Sequence, residues 1–173
     1  KYFFFFFLAL ALTGCGSDID LVKGGVMEFN QTTTLGKALD NWKSCESREW
    51  EEFETDNGIK VVQFTCQHKI SQYMSKAKSL LSEEEQAKAN HLDIASNIQT
   101  FQFTINQGDT FQIDNVQVKT TWQDGTSFED SQKPVEQLET AYANNLNFDP
   151  AELNEMGAAQ ISYVFSMIKM RAK

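Results

Sequence analysis

The sequence predicts an α+β fold: antiparallel β-hairpins packed against several helices, closing on C-terminal helices. Three observations carry this. Asp56-Asn57-Gly58 sits between two extended segments, 49–55 and 59–67. Phe101, Phe103 and Ile105 alternate with polar residues and are followed, after Gln107-Gly108-Asp109, by a second alternating run. Ile70, Tyr73, Met74, Ala77, Leu80 and Leu81 recur at helical spacing, and helical patterns return after Pro134.

In chain order, the segment 22–29 is apolar but broken by Gly24-Gly25, and is expected to be a short first strand. Thr32 to Thr34 offer an N-cap to a short helix whose face is Leu35, Ala38, Leu39 and Trp42. Asn-Gly is a strong hairpin signal because a two-residue type I′ turn needs φ > 0 at both central residues. Taking Asn57-Gly58 as that turn sets Phe53 opposite Val62 and Glu49 opposite Cys66.

After the stripe from Ile70 to Leu81, Ser82 and Glu85 have the spacing of a capping box. A kink or a new helix is expected to begin there and run to about Ala95. The apolar phase then slips by one residue, from Phe111 and Ile113 to Val116 and Val118. Side chains alternate with period two, so a bulge or bend is expected near Asp114-Asn115. Asp124-Gly125 marks a turn before a short extension at 127–129. Pro134 opens a helix bearing Val135, Leu138 and Tyr142. Asp149-Pro150 is expected to open the last helix, with Leu153, Met156, Ile161, Val164, Phe165 and Ile168 facing the core.

Charge and size bound the function classes. The chain has 173 residues and a net charge of −9. An acidic surface repels phosphate backbones, so no nucleic-acid partner is expected. It also repels anionic lipid head groups, so membrane attachment needs another device. The first residues read as one: Lys1, then an apolar run from Tyr2 to Leu12, then Thr13-Gly14. That is a secretory signal, and the run falls short of the about 20 residues that span a bilayer. The expected organisation is a signal peptide at 1–14, a tether at 15–25 and one periplasmic domain at 26–173.

Leu12-Thr13-Gly14-Cys15 resembles the lipobox of bacterial lipoproteins. The resemblance implies that Cys15 carries diacylglycerol and becomes the mature N-terminus, and multiple acyl chains give stable anchoring. An ordinary secreted protein is the alternative. By similarity to enterobacterial sorting, Gly16 and Ser17 lack the Asp that retains lipoproteins at the inner membrane. The periplasmic face of the outer membrane is therefore the expected address. With Cys15 assigned to lipid, Cys45 and Cys66 remain, and an oxidising periplasm favours a disulfide between them. Two separate thiols are the alternative.

No nucleophile elbow, phosphate-binding glycine loop or metalloprotease helix motif occurs, and His68 next to Cys66 falls short of a zinc ligand set. His68 is expected at the surface or at a strand end, and His91 on a polar helical turn. No metal or cofactor is expected. Trp42, Trp50, Phe101, Phe103 and Trp122 are expected mainly in the core, with an exposed aromatic patch as the alternative. The stretch from Thr34 to Trp42, continued by Trp50 to Phe53 and Ile59 to Phe64, resembles a segment of small proteobacterial envelope lipoproteins. It is also loosely similar to lipoproteins of the outer-membrane assembly factor E and beta-lactamase-inhibitor-protein-like type. That likeness implies an envelope protein partner rather than catalysis. A module for a small ligand or cell-wall glycan is the second expectation, and a carboxylate-dependent hydrolase the third.

Overall fold

The computed structural model describes residues 17–173, so the expected signal peptide and the expected lipidation site, Cys15, lie outside the described residues. The chain is α+β, with helices α1 to α6 and strands β1 to β7 among the described residues. The described residues open on α1 (Asp18–Gly24), in place of the tether expected over 15–25. Ser17 Oγ accepts from the Asp20 amide while the Asp20 carboxylate accepts from the Ser17 amide. This reciprocal cap starts the helix, and fully buried Val22 holds it to the core. The expected strand at 22–29 shrinks to β1 (Val26–Met27), because Val22 belongs to α1; β1 pairs with β2 (Asn30–Thr34). Thr34 then caps α2 (Leu35–Asp40), and Leu35, Ala38, Leu39 and Trp42 are buried as their spacing predicts.

β3 (Cys45–Glu54) and β4 (Lys60–His68) form the first long hairpin, one residue out of the expected register. Phe53 faces Val61, Glu49 faces Thr65, and Arg48 faces Cys66. Gly58 has φ 77°, but Asn57 is not in the positive-φ region. The loop is therefore three residues closed by Thr55 N–H to Ile59 C=O, not a two-residue turn. This register sets Trp50 beside Phe64, with ring centroids 4.9 Å apart.

The stripe from Ile70 becomes α3 (Ser71–Ser79). Ser82 caps α4 (Glu83–Lys88) through the expected capping box. α4 stops well before Ala95: a single 3₁₀ turn, Asn90–Leu92, leads into β5 (Ile94–Asn106). β5 pairs with β6 (Thr110–Trp122), which pairs with β7 (Ser127–Ser131). Gln102 faces Asn115 while Phe103 faces Ile113, so Asp114 is the extra residue of the expected bulge. The sheet order is β3-β4-β5-β6-β7, an antiparallel meander.

α5 (Pro134–Tyr142) follows as predicted. Asp149-Pro150 starts only a 3₁₀ turn, Pro150–Glu152, and α6 (Glu155–Lys169) begins afresh where Asn154 Oδ1 accepts from the Gly157 amide.

Helices cover one face of the sheet. Two apolar clusters lie there: Val22, Leu39, Trp42, Phe64, Phe101, Phe103 and Leu138 are in one; Met74, Leu92, Trp122, Ala158 and Phe165 are in the other. The opposite face is polar. Across it Gln63 donates to Glu51, Gln102 to Gln63 at 2.7 Å, and Asn115 to Gln102 at 3.2 Å.

Candidate functional site

Cys45 and Cys66 form a disulfide with Cα atoms 5.3 Å apart. The bulge between Cys45 and Ser47 brings the start of β3 opposite His68, so the bridge clamps the base of the hairpin. Both residues are buried in the first apolar cluster.

His68 is the last residue of β4, at a strand end as one of the two expectations has it, but it is buried rather than at the surface. Parity decides this: Val62, Phe64, Cys66 and His68 all point to the helix-covered face. Ser44 Oγ lies 2.8 Å from His68 Nδ1 and accepts from the Asn147 amide at 3.2 Å. His68 Nε2 is 2.9 Å from Gln99 Oε1, and Gln99 Nε2 donates to Gln137 Oε1 at 2.9 Å. One tautomer satisfies the chain: the Ser44 hydroxyl donates to Nδ1, and Nε2–H donates to Gln99. Burial holds the imidazole below its ordinary value of 6.5, against the opposing pull of its bonds to Gln99 and the Ser44 backbone. Trp42 and Phe148 meet the ring edge-on, with centroids at 5.2 and 5.7 Å.

Residues 144–148 close this array. Trp42 Nε1 donates to the Asn145 carbonyl at 2.8 Å, and Asn144 Oδ1 accepts from the Lys43 amide at 2.7 Å. Hydroxyl, imidazole and orienting amide stand in the order that nucleophilic catalysis uses. Ser44 and His68 are each only 2% exposed, so the array as folded presents no hydroxyl to a substrate. Its evident work is to satisfy polar groups inside the core.

His91 is half-buried in the 3₁₀ turn, with Nε2 2.8 Å from Ser162 Oγ on α6. Burial and the nearby Lys169 charge lower its pKa, with Asp93 opposing. No cluster of three metal-ligating side chains occurs among the described residues.

Two open grooves flank the body. One, of about 400 Å³, lies beside the histidine array between Glu46, Lys69, Leu146, Phe148 and Pro150. The other, of about 560 Å³, runs between Gly25, Met27 and Glu28 on one side and Asp109 and Phe111 on the other.

The most distinctive surface is the outside of α6. Met156 is 70% exposed, Tyr163 68%, Met170 71%, and Val164 and Met167 45% each. Met156 and Val164 were expected in the core and are outside it. Ala158 and Phe165 are the residues that α6 buries fully, with Ile161 and Ile168 partly buried against the same cluster. At 100° per residue, Met156, Tyr163, Met167 and Met170 fall on one stripe. The signal in the sequence is that this helix is charged only at Glu155 and Lys169, its other polar side chains being Gln160, Ser162 and Ser166. Among the described residues no helix is long and apolar enough to cross a membrane.

The far end of α6 is fixed to the sheet. Lys169 Nζ bonds Asp124 Oδ2 at 2.7 Å and lies 5.6 Å from the Trp122 ring centroid. The Arg171 guanidinium sits 4.9 Å over Phe128. The Lys169 bond and those from Thr126 lower the Asp124 carboxyl from 3.8 to about 2. The stripe therefore stands on a helix held at a set orientation.

Comparisons with protein-family models, curated proteins and solved structures each found no match.

Proposed function

We propose that this chain is a lipid-anchored envelope protein that acts by binding protein rather than by catalysis. The anchor is Cys15 in Leu12-Thr13-Gly14-Cys15, and the proposed address is the periplasmic face of the outer membrane. The Cys45–Cys66 disulfide suits an oxidising compartment. The observation that carries the binding role is the exposed Met156-Tyr163-Met167-Met170 stripe, an apolar strip on an anchored helix. Methionine and tyrosine adapt well to a partner surface.

The test is a photo-crosslinking amino acid at Tyr163 in native cells, with mass analysis of adducts and metabolic labelling with palmitate. The reading requires a discrete protein adduct and a label lost in Cys15→Ala. Absence of any protein adduct refutes the binding role, and an unlabelled wild-type chain refutes the anchor.

The groove beside Phe148 favours a second reading, a module for a small ligand or cell-wall glycan. Phe148 offers a ring face, while Glu46 and Lys69 offer charged hydrogen-bonding groups. Soluble peptidoglycan fragments should then perturb the NMR signals of Lys69 and Phe148; unchanged signals at millimolar fragment exclude it.

A further inference from the structure

We infer that the outer face of α6 receives a second copy of this chain, the two helices packed antiparallel about a two-fold axis at Tyr163. The inference rests on the protein-binding reading above and names the partner of that surface. Two features of α6 and its flanking residues are self-complementary, and the exposed area is the third ground.

The two ends of the apolar stripe mirror each other about its middle. Met156 and Met170 are equidistant from Tyr163, so an antiparallel pair centred there sets Met156 of one copy against Met170 of the other. Tyr163 then meets its own counterpart on the axis. A closed two-fold contact needs such a self-matching patch.

Charge is divided along the same line. Glu152 and Glu155 stand at the start of the segment, and Arg171 and Lys173 at its end. Antiparallel packing brings the acidic end of each copy to the basic end of the other. Parallel packing would stack like charges, and it would also align the helix dipoles unfavourably. The contact is thus locally neutral although the whole chain is strongly acidic, and repulsion between the bodies is screened beyond about 8 Å at physiological salt.

Area is sufficient. Covering the five exposed side chains completely in both copies buries at most on the order of 1,200 Å², the lower bound of a specific interface. The expected dimer is consequently one of modest affinity, favoured where both copies are confined to one membrane surface by their lipids.

The test is cysteine crosslinking of the full chain in whole cells under a mild thiol oxidant. The native disulfide is buried and Cys15 is the acylated residue, so neither competes. Tyr163→Cys should link to itself and give an adduct of twice the chain's mass. Met156→Cys and Met170→Cys should each remain single when expressed alone and link to one another when co-expressed. Asn106→Cys, on the distant β5–β6 hairpin, should remain single. A Tyr163→Cys chain that stays unlinked, as it would if the stripe lay on lipid, overturns the inference. Self-linking of Met156→Cys overturns the antiparallel arrangement. A Tyr163 adduct with a different protein overturns the second copy as partner and leaves the protein-binding reading standing.

Discussion

Ser44 Oγ and His68 Nδ1, 2.8 Å apart and both buried, join the start of β3 to the end of β4 across the base of the disulfide-linked hairpin. The same hydroxyl accepts from Asn147, so one oxygen connects the hairpin to residues 144–148. Ser44→Ala leaves the Asn147 amide and one imidazole nitrogen without partners. The expected loss is about 1–3 kcal/mol, the desolvation cost of orphaned buried groups. A change within 0.5 kcal/mol in urea unfolding would mean that water replaces the hydroxyl.

His68 also makes stability depend on pH. Its folded-state pKa lies below the unfolded value of 6.5, so the unfolded chain takes up the proton first as pH falls. The stabilisation is fully present above 6.5 and is lost as pH drops from there towards the folded value. The urea midpoint should therefore be higher at pH 7.5 than at pH 5. His91 is shifted in the same direction and contributes to this slope. In a His91→Asn background, His68→Gln should lower stability at pH 7.5 while flattening the dependence that remains. An undiminished slope in that double variant would remove His68 from the account.

The disulfide closes a sequence separation of 21. On the chain-entropy model its removal in a Cys45→Ala, Cys66→Ala variant should cost about 3 kcal/mol. Cys45 is 1% exposed and Cys66 is fully buried. Reductant should therefore act on the bond only when denaturant is also present, measurable by alkylation and mass shift. Ready alkylation of the folded protein would contradict the packing of this hairpin.

Local signals in the sequence translate directly into structure where one residue's backbone chemistry decides the outcome. Thr34 and Ser82 cap helices because their hydroxyls reach the third helical amide, and the phase slip after Ile113 marks the bulge at Asp114. Ser17 and Asp20 carry the same capping signal for α1, masked by the neighbouring glycines. The outcome is illegible where distant contacts arbitrate. Asp56-Asn57-Gly58 suits loops of two or three residues, and the choice is made by Trp50 packing on Phe64. Nothing near His68 in sequence announces its burial, since its partners are Gln99 and the cover is residues 144–148. The outside of α6 is only partly legible: periodicity places Ile161, Phe165 and Ile168 inward, but with so few charges on the helix it also assigns Met156 and Val164 to the core.

Asp124 reports the attachment of α6 to the sheet. Its carboxyl is half-exposed yet lowered to about 2, chiefly by the Lys169 ammonium 2.7 Å away. A lowered carboxyl stabilises the folded chain above its unfolded value of 3.8, and that contribution is lost as pH falls through about 2. Carboxyl NMR should show Asp124 titrating well below the ordinary aspartate value of 3.8. Lys169→Met should raise its value, and with it loosen the end of α6. If the Asp124 titration is unmoved in Lys169→Met, the ion pair does not hold this end.

Gly36 decides whether α1 is a docked helix or a tether. A methyl group there would stand 2.8 Å from Lys23 Cβ and 3.0 Å from the Lys23 carbonyl oxygen. Those atoms belong to α1 itself and cannot turn aside as the end of a flexible side chain could. Two effects oppose each other in Gly36→Ala. Alanine favours the helix α2 by about 0.5–1 kcal/mol over glycine. Overpacking against a fixed neighbour costs about 1–3 kcal/mol. With α1 docked through Val22 and Ile19, the second effect wins and the variant is destabilised, with faster proteolysis after Lys23. Were residues 17–25 a loose tether, α1 would swing away at little cost and Gly36→Ala would be the more stable protein. The sign of the change in urea midpoint therefore distinguishes the two, whatever its size.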